Sequence, residues 1–180
     1  MLTTTTSRLA AQGPCDTGRE TLLTFLAKPE PDDEPVSYAT ILDVLGLESA
    51  IWSMCAEPEH ITLWRQFAVW CAAQVAPQAL DFRSANAVAV AQRHLTGDAT
   101  RDDLDAAWAS ACASAWDARQ QASPRAAFAA NAARDACAAC ARDLPDAFRE
   151  IQSAAIWAAK ADPTTDQASA FRRLVTTGHA

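Results

Sequence analysis

The stretch from Leu104 to Asp143, LDAAWASACASAWDARQQASPRAAFAANAARDACAACARD, most constrains what this chain can fold into. Roughly half of it is alanine, the strongest helix former, and it contains no glycine and a single proline, Pro124. Leu104, Trp108, Cys112 and Trp116 recur every four residues, with Ala107, Ala111 and Ala115 filling the adjoining row. That spacing predicts one face of an amphipathic helix, with Trp108 and Trp116 as its core anchors. Ser123-Pro124 supplies an N-cap and a first-turn proline, after which Phe128, Ala132, Ala133, Ala136, Cys137 and Cys140 repeat the pattern. The stretch reads as a helical hairpin whose small side chains let neighbouring helices approach closely.

The flanking sequence is punctuated in the same way. Residues 1–15 are Thr-rich, lack the apolar run of a leader, and are expected to form a disordered polar tail. Asp16 or Thr17 can cap a short helix carrying Leu22, Leu23, Phe25 and Leu26. The prolines and acids from Lys28 to Pro35 predict an exposed acidic loop over residues 28–36. Ser37 can cap a helix with Tyr38, Ile41, Leu42 and Leu45 that ends at a left-handed Gly46, and Leu47, Ile51, Trp52 and Cys55 form another short face. A longer helix over about 59–76 places Trp64, Phe67, Ala68, Cys71 and Val75 in register. Ser84 is the expected cap of the next helix, bearing Ala87, Val88 and Ala91 and stopped at Gly97, and Thr100 to Asp103 is a capping pattern. Two more helices follow, one with Phe148, Ile151 and Ala155, the other with Phe171, Leu174 and Val175. No stretch alternates with period two. The expectation is an all-α chain, an antiparallel multi-helix bundle or irregular helical stack of about 8–9 helices, with one domain over 16–180.

Charge and cysteine narrow the function. A net charge of −7 argues against direct nucleic-acid binding, which needs a basic stripe, and suits a basic or nucleic-acid-binding protein partner. No apolar run approaches the roughly 18 residues that span a bilayer, so no membrane role is expected. Six cysteines in a long Ala-rich chain read as reduced thiols in a cytoplasm. Cys137-Ala-Ala-Cys140 puts two thiols on one helical face and is the basis of an alternative reading as a small metal- or redox-active protein. A closed zinc site needs four ligands, and His60, His94 and His179 stand alone, so small packing residues are the better reading and neither metal nor cofactor is expected. Glu57, Glu59 and His60 gather at a helix start, where capping accounts for them. No nucleophile elbow, phosphate loop or dinucleotide fingerprint occurs, so the chain does not read as an enzyme.

Two acidic clusters are the candidate partner-binding residues: Glu30, Asp32, Asp33 and Glu34 in the Pro-rich loop, and Asp102, Asp103 and Asp105 at the start of the alanine hairpin. First-turn acids also offset a helix dipole, whereas the loop acids have no such structural use. From Asp32 to Asp117 the chain resembles a loose group of Ala-rich helical proteins of bacteria and their phages. The carrying residues are Asp32-Asp33-Glu34-Pro35, Ile41-Leu42-Asp43 with Gly46-Leu47, Ala50-Ile51-Trp52, Phe67-Ala68, Cys71-Ala72, Arg83-Ser84, Ala87-Val88, and Gly97 with Ala99-Thr100 and Leu104. Some members resemble immunity proteins of polymorphic toxin systems. The resemblance implies a non-catalytic protein-binding module that neutralises a partner. The alternative is a phage-encoded inhibitor of a host defence complex that mimics nucleic acid with its acids.

Overall fold

The computed structural model describes residues 1–13 and 16–179, and it is all-α apart from one short ribbon. In chain order the elements are β1 (Thr3–Thr5), α1 (Thr6–Ala11), α2 (Asp16–Phe25), β2 (Pro35–Ser37), α3 (Tyr38–Trp52) and α4 (Ile61–Val75). There follow α5 (Phe82–Thr96), α6 (Arg101–Gln120), α7 (Pro124–Ala141), α8 (Asp146–Ala161) and α9 (Gln167–Thr177), making nine helices among the described residues. Single 3-10 turns occupy Ser53–Ala56, Pro58–His60 and Ala76–Gln78. The chain divides into two compact units, Met1–Ile61 with Ala168–Ala180, and Thr62–Gln167, where the sequence predicts one domain.

In the unit of residues 62–167, α7 lies at the centre. Fourteen of its 18 residues are buried, including every alanine from Ala126 onward, so it has no solvent face. A helix that is apolar all round must be enclosed, and α7 contacts α5, α6 and α8. Helices consecutive in the chain from α5 to α8 run antiparallel, as their paired ends show. Asp81 and Ser84 at the start of α5 meet Ser114 near the end of α6. Leu104 at the start of α6 accepts from Cys137 near the end of α7, and Arg125 at the start of α7 donates to the last carbonyl of α8, Ala161. From α4, the Arg65 guanidinium donates to the carbonyls of Ala139 and Arg142 at 2.8 and 2.7 Å. It thereby satisfies acceptors that the end of α7 leaves open.

Caps follow the sequence in part. Thr100 and Asp103 form a reciprocal capping box, Ser37 caps α3, and Gly97 ends α5 at φ 86°. Asp81 rather than Ser84 caps α5; Ser84 is buried against Ser114. Ser123 makes no side-chain cap bond, and Pro124 alone marks the start of α7. Gly46 is left-handed, at φ 80° and ψ 175°, yet it breaks α3 instead of ending it, because helix resumes at once toward Trp52.

The anchor row of α6 is also not the expected one. Leu104, Ala107, Ala111, Ser114, Ala115 and Ala118 are buried, whereas Trp108 is half-buried and Trp116 is 62% exposed. The alanine row faces α5 and α7 because a helix as thin as α7 can be approached closely only by another row of small side chains. Trp108 instead lies under the Arg142 guanidinium, 5.5 Å from its ring centre. Of the six tryptophans only Trp64, on the α4 face read from sequence, is fully buried.

In the other unit the amino-terminal residues are structured, against the expected tail. β1 pairs antiparallel with β2, Thr4 opposite Val36, and Leu2 N–H donates to Val175 O at 2.6 Å. Thr5 caps α1, and Leu9 is buried. Pro14 and Cys15, the end of that expected tail, lie outside the described residues. Tyr38 is buried, donates to Ser53 O at 2.9 Å, and its ring meets Phe171 at 6.3 Å. Tyr38–Ala56 is by length and mean hydropathy (1.3) apolar enough to cross a bilayer, contrary to the sequence expectation, though Gly46 interrupts it and its buried residues pack within this unit.

These packing assignments separate variants by chemical denaturation. Trp64→Ala is expected to cost about 3–5 kcal/mol through the cavity it leaves. Trp116→Ala should lie within about 0.5 kcal/mol of wild type. Ala130→Leu, in the enclosed middle of α7, should cost about 1–3 kcal/mol by overpacking.

Candidate functional site

The acidic loop is built on one half-buried cation. Lys28 follows the end of α2, and its ammonium lies 2.6 Å from Asp32 and 2.9 Å from Glu34, with only 12% of the side chain exposed. Asp32 is a hub: Thr6 Oγ1 donates to its carbonyl at 3.0 Å, its N–H donates to Thr6 Oγ1 at 2.8 Å, and Ser7 N–H donates to its carbonyl as well. The hydrogen bond from Lys28 holds the Asp32 carboxyl below its ordinary range, and Asp32 in turn raises Lys28. Asp32 and Glu34 therefore have a structural use that the sequence reading denied them. Glu30 and Asp33 do not: both are exposed, and their side chains make no hydrogen bond or ion pair among the described residues.

The second cluster sorts in the same manner. Asp103 accepts from Thr100 N–H and Oγ1 at 2.8 and 2.7 Å, and the Thr100 N–H holds its carboxyl low. Asp105 pairs loosely with Arg101 at 3.6 Å. Asp102 is exposed with no side-chain partner among the described residues. The loop cluster lies in the unit of residues 1–61, the helix cluster in the unit of residues 62–167.

Sequence reasoning missed a groove of about 390 Å³ between α1, α2 and α3. Leu9, Leu22, Leu23, Ile41, Leu45 and Trp52 form its apolar walls, and Pro31 of the acidic loop lies on its edge. Three short helices with their apolar positions read separately do not announce a shared gap. The polar atoms at its base are satisfied, Thr6 Oγ1 by Asp32 and Ser53 Oγ by Ala50 O at 2.7 Å. At the mouth Arg19 pairs with Asp16 at 3.0 Å, and Glu48 is exposed with no partner among the described residues.

The remaining buried polar groups bind the fold together. Arg8 bridges Glu57 at 2.9 Å and Glu59 at 3.1 Å, pinning α1 to the Pro58–His60 turn. Burial raises the Glu57 carboxyl while Glu59, held by its own backbone N–H, is lowered. Glu57 and Glu59 are thus part of an ion-pair cluster as well as a helix entry. In the other unit, Asp135 is 1% exposed and is met by Arg134 at 2.6 Å and by Ser153 Oγ at 2.5 Å. Asn131, also buried, has a carboxamide oxygen without a partner among the described residues. Burial pushes the Cys137 and Cys140 thiols up to about 12, and Cys137 donates to Leu104 O at 3.3 Å. Both thiols are buried packing groups that stay protonated, Cys137 against α6. Among the described residues no three His, Cys, Asp or Glu side chains are grouped to hold a metal ion.

Compared with known protein families, curated proteins and solved structures, the chain matches none.

Two measurements check these assignments. Folded Asp32 ionises at a lower pH than an unfolded aspartate near 3.8, so its pairing stabilises the fold above that pH and is lost as pH falls through the lowered value. The melting temperature of Asp32→Asn should therefore lie below wild type at about pH 6 and approach it as the pH falls below the ordinary aspartate range. Alkylation of native protein at mildly alkaline pH, read by mass spectrometry, should modify half-buried Cys55 and Cys112 well before Cys137 and Cys140. Equal rates at all four would place the Cys137 and Cys140 thiols at the surface.

Proposed function

We propose that this chain is a non-catalytic protein-binding module that neutralises a basic or nucleic-acid-binding partner, in the manner of an immunity protein. The observation that supports this most is the pair Glu30 and Asp33, exposed carboxylates with no partner among the described residues, on a loop whose backbone is already held. A fixed loop loses little freedom on binding, and its two unpaired charges are available to a cation. The net charge of −7 favours encounter with a positive protein.

The test starts with affinity capture from the native host and identification of the retained protein, followed by its activity with and without this chain. Replacing Glu30 and Asp33 with Ser should leave the melting temperature within about 1 °C of wild type, since neither acid is bonded. Association with the captured partner should slow several-fold at low salt and converge with wild type at high salt. Equal association rates at every ionic strength would reduce the loop to a connector and end this reading. A captured defence complex that duplex DNA displaces would favour the acidic-mimicry alternative instead.

A further inference from the structure

The acidic loop reaches the groove at Pro31. Pro31 lines the groove, Glu30 and Asp32–Asp33 flank Pro31 in the chain, and Glu48 stands at the mouth from α3. We propose that this groove seats an apolar side chain of a basic segment in the partner protein, a step that rests on the partner-binding reading above.

Inside, the walls ask for an apolar group. The base offers no unmet donor or acceptor at Thr6 or Ser53, so a polar insert would lose its water without compensation. The volume of about 390 Å³ admits a large aliphatic or aromatic side chain and falls within the usual range of ligand clefts. Outside, the rim asks for positive charge. Among the described lining residues the one cation, Arg19, is already met by Asp16, which leaves Glu48 at the mouth, and Glu30 and Asp33 on the loop that carries Pro31, without an ion-pair partner. A fatty acid or another apolar anion would meet those carboxylates at its charged end. A Phe or Leu flanked by Lys and Arg satisfies both halves of the surface, as an anchor in a pocket within a charged rim.

Three peptides test this on the full chain: Ac-Lys-Lys-Phe-Lys-Lys-NH2, its Glu-flanked analogue, and the Lys-flanked analogue with Ser in place of Phe. Amide shifts are followed by NMR. The first peptide should saturate, moving the signals of Leu45 and Ser49, with a Kd at least about tenfold lower than either analogue. Glu48→Lys, at an exposed position, should weaken it several-fold, and Ala10→Phe, which fills the groove from its wall, should abolish the shifts. Far-ultraviolet circular dichroism confirms that each variant is folded. Binding of the Glu-flanked peptide as tight as the Lys-flanked one, or no saturable shift with any peptide, overturns the proposal. If the groove fails while Glu30→Ser with Asp33→Ser still slows partner association, the partner-binding reading stands without it. If the first peptide binds but no neutralised partner exists, the groove stands and that reading falls.

Discussion

The enclosure of α7 is the constraint on which the unit of residues 62–167 depends. An alanine helix brings little volume of its own, so its burial stabilises the fold only if each neighbour comes close enough to leave no void. The neighbours manage this with small rows of their own, Ala107, Ala111 and Ala115 from α6 and Ala154, Ala155 and Ala158 from α8. Leu104 and Ile151 are buried beside these rows, while other large side chains lie at the margins, where Phe128 stacks on Trp157 at 5.5 Å and Arg142 covers Trp108. The backbone of an enclosed helix must also be satisfied at its ends, and Arg65 does so at its carboxyl end. Even the charge that α7 carries inward, Asp135, is matched by Arg134 and Ser153, as a buried carboxylate requires.

In the unit of residues 1–61 and 168–180, large side chains form the core, Tyr38, Ile41, Met54, Phe171 and Leu174 among them. Here charged and polar side chains fix the connections: Lys28 between Asp32 and Glu34, Arg8 between Glu57 and Glu59, Arg172 with Asp43, and Tyr38 with Ser53. The result is a rigid acidic loop beside an apolar groove. Rigidity separates the acids into two kinds. Those that hold the loop are consumed by it, and those left over, Glu30 and Asp33, can meet a partner. An acidic run in a sequence therefore overstates the charge available for binding.

Much of the local structure was legible in the residues themselves. Most helical spans beyond residue 16, the Ser37 cap, the Thr100–Asp103 box, the left-handed Gly97 and the buried α4 face with Trp64 and Phe67 follow from rules that act within one or two turns. The candidate surface was half legible: the loop acids could be named, but not which of them Lys28 claims, and the groove not at all. A salt bridge or a gap depends on elements that meet only in space, Asp32 and Thr6 being 26 residues apart.

What the sequence by itself determined is the all-α class, through alanine's low helical cost and the absence of two-residue alternation. What only the tertiary structure decided is which row of each helix faces inward. Periodicity marks two adjacent rows on α6, one of Trp and one of Ala, and no rule internal to α6 chooses between them. The choice belongs to α7, whose slender profile admits Ala and leaves Trp116 outside. The pairing of Thr3–Thr5 with Pro35–Ser37 was likewise decided in three dimensions, because three-residue strands carry no periodic signal and exist only where the partner strand supplies their hydrogen bonds.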